Sequence, residues 1–160
     1  DLVHFTTGVN CPVRVVAHGG TFRWKNQYDV PDSVEVVLEY PEGFLVRYAS
    51  VFGNSGNTFA KWFGTRGTVD GKRLSPREAW TASGEGSGEP DRLKAEIEVP
   101  QVEAVPHMQN FFDCVRSRQQ PIAPIEAGYA HSVAVIMAEE ALTSGRRQTY
   151  DATRRALIAA

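Results

Sequence analysis

The chain has 160 residues, 42% of them hydrophobic and 10% aromatic, which supplies enough apolar side chain for one buried core and excludes a disordered tail. Seventeen Lys and Arg against nineteen Asp and Glu leave a formal net charge of −2, so no strong field is available to hold a nucleic-acid backbone or an anionic membrane. No apolar run approaches the roughly 18 residues needed to span a bilayer, and Asp1-Leu2-Val3-His4 offers neither a charged signal n-region nor an initiating Met. The expectation is a single domain over residues 1–160 in a reducing, cytoplasmic compartment, on a chain cut at its start. Cys11 and Cys114 are too few and too far apart for a disulfide framework or a metal knuckle, and read as small buried hydrophobes.

In chain order, Leu2 and Phe5 share a face of a short helix that Gly8 stops ahead of Pro12. The texture then turns to strands. Val13 to Ala17 is β-branched and ends at Gly19-Gly20, and Ser33 to Tyr40 alternates between a buried and a wetter face. Pro41-Glu42-Gly43 makes a tight connection to Phe44–Phe52, an antiparallel partner apolar on both parities. The cluster from Gly53 to Asn57 is the next turn, Thr58 to Phe63 the next strand, and Gly64-Thr65-Arg66-Gly67 leads into Thr68-Val69, so the middle reads as a β-meander. Ser83 to Gly88 is a low-complexity surface loop before a charged strand from Leu93 to Val99. After Pro106 the period becomes helical, with Met108, Phe111, Phe112 and Val115 on one face and Pro121 beyond the end. A second helix runs from about Glu126 to Ser144 with Gly145 as its cap; its apolar set covers more than half the circumference, which predicts burial against a sheet and another helix. Gln148-Thr149-Tyr150 reads as a last short strand. Strands in the middle and helices at the ends define an α+β fold, a mostly antiparallel open-faced sheet with helices packed on one face.

Few motifs carry chemistry. A dinucleotide site needs Gly-x-Gly-x-x-Gly at a strand-to-helix turn, whereas Gly84-x-Gly86-x-Gly88 has the wrong spacing and leads to Glu89-Pro90-Asp91, which repels an anion. Gly67 to Arg73 is one residue short of a phosphate loop and lacks its Ser or Thr. His4, His18, His107 and His131 have no helical partner at ligand spacing among themselves, and the Asp1–His4 pair has no further ligand, so no metal is expected. No Gly-x-Ser-x-Gly elbow is present, and neither cysteine has a neighbouring His or Lys in sequence. His131 falls in the apolar stripe of the last helix and reads as a core histidine satisfied by a backbone carbonyl. Trp24 and Lys25, followed by Asn26, Gln27, Tyr28 and Asp29, form a polar-aromatic loop of the kind that lines sugar or polyol sites, since rings stack on C–H faces while amides and charges bind hydroxyls.

The order of these pieces resembles one family. Asp1 to Gly8, Pro12-Val13 leading to Gly19-Gly20, Pro31-Asp32, Tyr40-Pro41-Glu42-Gly43-Phe44, Gly64-Thr65-Arg66-Gly67-Thr68, and the closing runs His107 to Arg118 with Pro121 and Glu126 to Ser132 are similar to the C-terminal domain of glucose-fructose oxidoreductase / inositol dehydrogenase / MocA (Gfo/Idh/MocA) enzymes. The resemblance spans nearly the whole chain. It implies a parent with an N-terminal Rossmann domain that holds NAD or NADP, and a C-terminal open sheet that lines the pocket of a sugar, polyol or related carbinol and builds a dimer. Members carry a Lys in a Glu-Lys-Pro motif of the first domain and a His three residues before the Asp that Asp1 resembles, and neither stands in this sequence. The chain alone is therefore expected to lack catalytic residues and to bind no cofactor.

On this resemblance Asp1, Asn54 and Asn57 are substrate-binding residues, the amides of the last two suiting sugar hydroxyls, and Trp24 and Lys25 of the polar-aromatic loop join them as candidates. The expected partners are the chain's own Rossmann domain and a second copy, joined through the open sheet face because a large exposed apolar patch is uncommon on a monomer. A stand-alone α+β binding or assembly module without catalysis is the alternative.

Overall fold

The computed structural model describes residues 2–54, 59–71, 79–100 and 105–159. Its elements run α1 (Leu2–Thr7), β1 (Arg14–Gly20), β2 (Ser33–Tyr40), β3 (Phe44–Val51), β4 (Ala60–Gly64), β5 (Gly67–Gly71), β6 (Trp80–Ser83), β7 (Ile97–Val99), α2 (His107–Ser117), α3 (Ile125–Ser144), β8 (Gln148–Asp151) and β9 (Ala156–Ala159). They form an α+β fold of two compact units, Asp1–Asn54 with Asn110–Ala160, and Ser55–Gln109.

The first unit is built on a five-stranded sheet in the order β3-β2-β1-β8-β9, antiparallel throughout. Pairing of Val15 with Leu38, and of Leu38 with Val46, sends alternate side chains of neighbouring strands to the same face. On that face Val15, Val36, Leu38, Tyr40 and Tyr150 pack with Val133, Ala134, Met137 and Ala141 of α3. Buried Ala130, Val133, Ala134, Met137 and Ala141 recur at helical spacing, so α3 lays one stripe along β1 and β8. Each large side chain buried here contributes about 1.5–3 kcal/mol relative to exposure. Gly145 in the left-handed region, φ 65°, ends α3 as its sequence position predicts. On the opposite face of the sheet Val16, Val37, Leu45 and Val51 are exposed, interleaved with the Arg14–Glu39 and Arg47–Glu35 ion pairs.

The second unit is a four-stranded antiparallel sheet, β4-β5-β6-β7. The register sets Trp62, Val69 and Ala82 side by side on one face, where the Trp62 and Trp80 rings lie 4.8 Å apart. The expected meander is thus divided: β3 and β4 are consecutive in sequence yet belong to different sheets.

Several details differ from the sequence reading. The charged segment from Leu93 is extended only over Ile97–Val99, because Arg92 and Lys94 turn back to bond the carbonyls of Ser87 and Pro90. His131 is not a core residue; it is exposed, since the buried stripe of α3 passes through Ala130, Val133 and Ala134 on either side of it. Val135 and Ile136 are exposed for the same reason, as are the apolar residues of α2. Cys11 and Cys114 are half-buried rather than enclosed. A strand at Ala156–Ala159 closes the first sheet, where sequence pattern gave no element.

Candidate functional site

The polar-aromatic loop between β1 and β2 is held by one carboxylate. Asp32 is only 4% exposed, and its oxygens accept the backbone N–H groups of Phe22, Arg23 and Trp24 at 2.8–3.2 Å together with the Ser33 hydroxyl at 3.0 Å. Burial by itself would raise the Asp32 carboxyl, but these donors outweigh it and hold the group below its ordinary value of 3.8. Three successive N–H groups folded around an anion make a rigid nest, with the loop on the outside. The Asp32 backbone closes the structure further: its N–H donates to Gly20 at 3.2 Å and its carbonyl accepts from Phe52 at 2.9 Å. Asn26, one of the residue types that tolerate φ of 67°, lets the chain turn so that Gln27 N–H reaches the Trp24 carbonyl at 3.1 Å.

What this loop displays is aromatic and cationic. Phe22 and Tyr28 are 62% and 61% exposed, and Phe52, at the end of β3, is 66% exposed. Tyr28 meets Trp24 edge to face with ring centroids 6.2 Å apart. The Arg23 guanidinium lies 4.9 Å from the centre of the Trp24 ring and donates from Nη1 to the Gly53 carbonyl at 2.6 Å. A Cβ on Gly53 would come within 3.1 Å of Arg23 Cδ, so glycine leaves the room that this crossing needs. The bond from Arg23 ties the loop to the turn that carries Asn54.

Of the residues expected from sequence, Trp24 and Lys25 share this loop, and Asn54 adjoins it through Gly53. Asp1 and Asn57 lie outside the described residues. Arg23, Asp32, Phe22 and Phe52 were not anticipated as members of the group; Pro31-Asp32 ahead of a strand was the available signal for the nest, since Asp at such a position bonds backbone N–H groups nearby.

The remaining candidates do not add chemistry. His4 bonds Tyr40, Nε2 to hydroxyl at 3.2 Å, and the Asp1 of the Asp1–His4 pair lies outside the described residues. Burial above all, and the neighbouring His131, hold its imidazole below 6.5. Tyr40 itself is pushed up to about 12 by burial. Among the described residues no three His, Cys, Asp or Glu side chains converge as metal ligands, and no helix is long and apolar enough to cross a membrane. The glycine-rich loop Gly84–Gly88 joins β6 to a segment that ends in β7 and opens no helix, so it does not fit a dinucleotide pyrophosphate.

No family model and no curated protein matches the chain. Solved structures do. The fold is shared with aldose-aldose oxidoreductase from Caulobacter crescentus, solved with glycerol, at a TM-score of 0.71 and 18% identity over 92% of this chain and 43% of that one. It is shared with an oxidoreductase from Agrobacterium radiobacter in complex with NAD+, L-tartaric acid and magnesium, at 0.66 and 14% over 93% and 46%. An NAD-binding protein from Listeria innocua matches at 0.64 and 16% over 88% and 46%. The chain therefore has a fold found within nicotinamide-binding and other oxidoreductases, and it spans less than half the length of each.

Proposed function

We propose that this chain is the C-terminal, substrate-binding and assembly domain of a Gfo/Idh/MocA-type NAD(P)-dependent oxidoreductase that acts on a sugar, polyol or related carbinol. The observation that carries this reading is the Asp32-anchored loop, which carries Trp24 and Lys25 and is tied through Arg23 to Gly53, the neighbour of Asn54, in a fold shared with an enzyme crystallised with a polyol. Aromatic rings stack on sugar C–H faces, and the Lys25 ammonium and Asn54 amide bond hydroxyls; Asp1 and Asn57 complete the proposed set. The nicotinamide cofactor supplies hydride chemistry when bound, and in this proposal a Rossmann domain outside these residues holds it. The role of this chain is to bind and orient the carbinol. Its open sheet face, with Val16, Val37, Leu45 and Val51 between two ion pairs, forms the homodimer interface.

The direct test is titration of the 160-residue chain with NADH and, separately, with a polyol such as myo-inositol. The expected result is no change in nicotinamide fluorescence and a saturable change in Trp24 signals on adding the polyol. Saturable NADH binding would overturn the division of labour between the two domains.

A further inference from the structure

The charge and geometry of the same loop narrow its ligand, an inference that rests on reading the loop as part of the substrate pocket. Arg14 of β1 and Arg47 of β3 are each paired with a glutamate on the neighbouring strand. Arg23 differs from them: it is fixed in place but makes no ion pair with a described residue, and Lys25 two positions on makes none either. The one buried carboxylate nearby, Asp32, is consumed by three backbone N–H groups and a hydroxyl. That leaves Arg23 and Lys25 against the single exposed carboxylate of Asp29 within the loop.

A guanidinium has five N–H donors in a planar fork, and here only Nη1 is seen to spend one, on the Gly53 carbonyl. With the guanidinium carbon 4.9 Å from the Trp24 ring centre and Nη1 bonded to the Gly53 carbonyl, little further rotamer entropy is lost when the remaining donors meet an oxyanion. Beside it, Tyr28 keeps most of its ring in solvent while Trp24 fixes its orientation.

We infer that the loop selects an anionic sugar, a pyranose whose oxyanion is taken by Arg23, with Lys25 two positions on adding positive charge, while its C–H face lies on the exposed Tyr28 ring. A carboxylate and a phosphate share this chemistry, since each presents two oxygens to the fork.

The test is calorimetric titration of the whole chain with D-glucuronate, D-glucose 6-phosphate and D-glucose, which differ only in the group at C6. At least one anionic sugar is expected to bind about tenfold or more tightly than D-glucose, with affinity falling as salt rises. The tighter of the two names the oxyanion. Arg23→Gln is expected to erase the difference between charged and neutral sugars, and Lys25→Gln, which touches no described contact, to reduce it. Equal affinity for all three sugars, or a preference that survives both substitutions, overturns the inference while leaving the loop as a sugar site. Failure of all three to bind or to perturb Trp24 overturns both the inference and the substrate-pocket reading.

Discussion

Asp32 organises the loop that the proposed function depends on, and its contribution is testable by acid. Its carboxyl sits below the ordinary 3.8 in the folded protein, so at pH between the folded and unfolded values the unfolded chain binds more protons than the native one. The stabilisation is complete above about pH 4 and is lost as pH falls through the folded value. Urea midpoints measured at about pH 5 and about pH 3 are expected to fall for the native sequence, and Asp32→Asn to start lower and fall less. Three N–H donors facing a neutral amide also predict that this variant loses the ordered Trp24 emission. His4 behaves in the same sense on a higher window: burial depresses its imidazole below 6.5, so its share of stability is present above 6.5 and declines with acidification. Proton NMR titration of His4, with Tyr40→Phe as the comparison, checks this.

At the level of single elements, α3 is the piece most directly tied to stability. Met137 is fully buried between the helix and the sheet, and Met137→Ala is expected to cost about 2–5 kcal/mol in denaturant unfolding because the site collapses only in part. In the second sheet the turn into β5 depends on Gly67, whose φ of 149° lies outside the range of L side chains and whose added Cβ would fall on the Ser83 carbonyl oxygen. Gly67→Ala is expected to disrupt the β5–β6 pairing, read as loss of amide-exchange protection at Thr68–Asp70 and Thr81–Ser83. Helix α3 also shows where periodicity misleads. A set of alanines and valines covers more than half of its circumference, so composition could not tell which stripe faces the sheet; only the docking on β1 and β8 selects Ala130, Val133, Ala134, Met137 and Ala141 and leaves His131 and Val135 outside.

For the whole molecule, the proposed dimer makes a clear prediction. The open face of the five-stranded sheet alternates apolar residues with cross-strand ion pairs, a pattern that a two-fold partner can match with itself. Light scattering is expected to report a dimer at micromolar concentration for the native sequence and a monomer for Leu45→Glu combined with Val16→Glu, with unchanged circular dichroism. A native monomer under those conditions would remove the assembly role and leave the proposed sugar-binding role to stand alone.

The local pieces were legible in the sequence, because each rests on rules that act over a few residues: β1 from its β-branched run, β2 from alternation, β3 from its apolar run beyond the Pro41-Glu42-Gly43 hairpin, the glycine stops at Gly8 and Gly145, the amphipathic period of α2, and the gathering of Trp24 and Lys25 in one loop. The tertiary structure decided what those rules do not reach. It split the strands between two sheets, because β1 pairs with β8 across more than a hundred residues of chain, and hydrogen bonding at that separation leaves no mark in local pattern. It also set the Asp32 carboxylate under three N–H groups and brought Arg23 to Gly53. A composition with net charge −2 gave no sign of the proposed cationic loop, because local charge depends on which charges folding neutralises and which it leaves facing solvent.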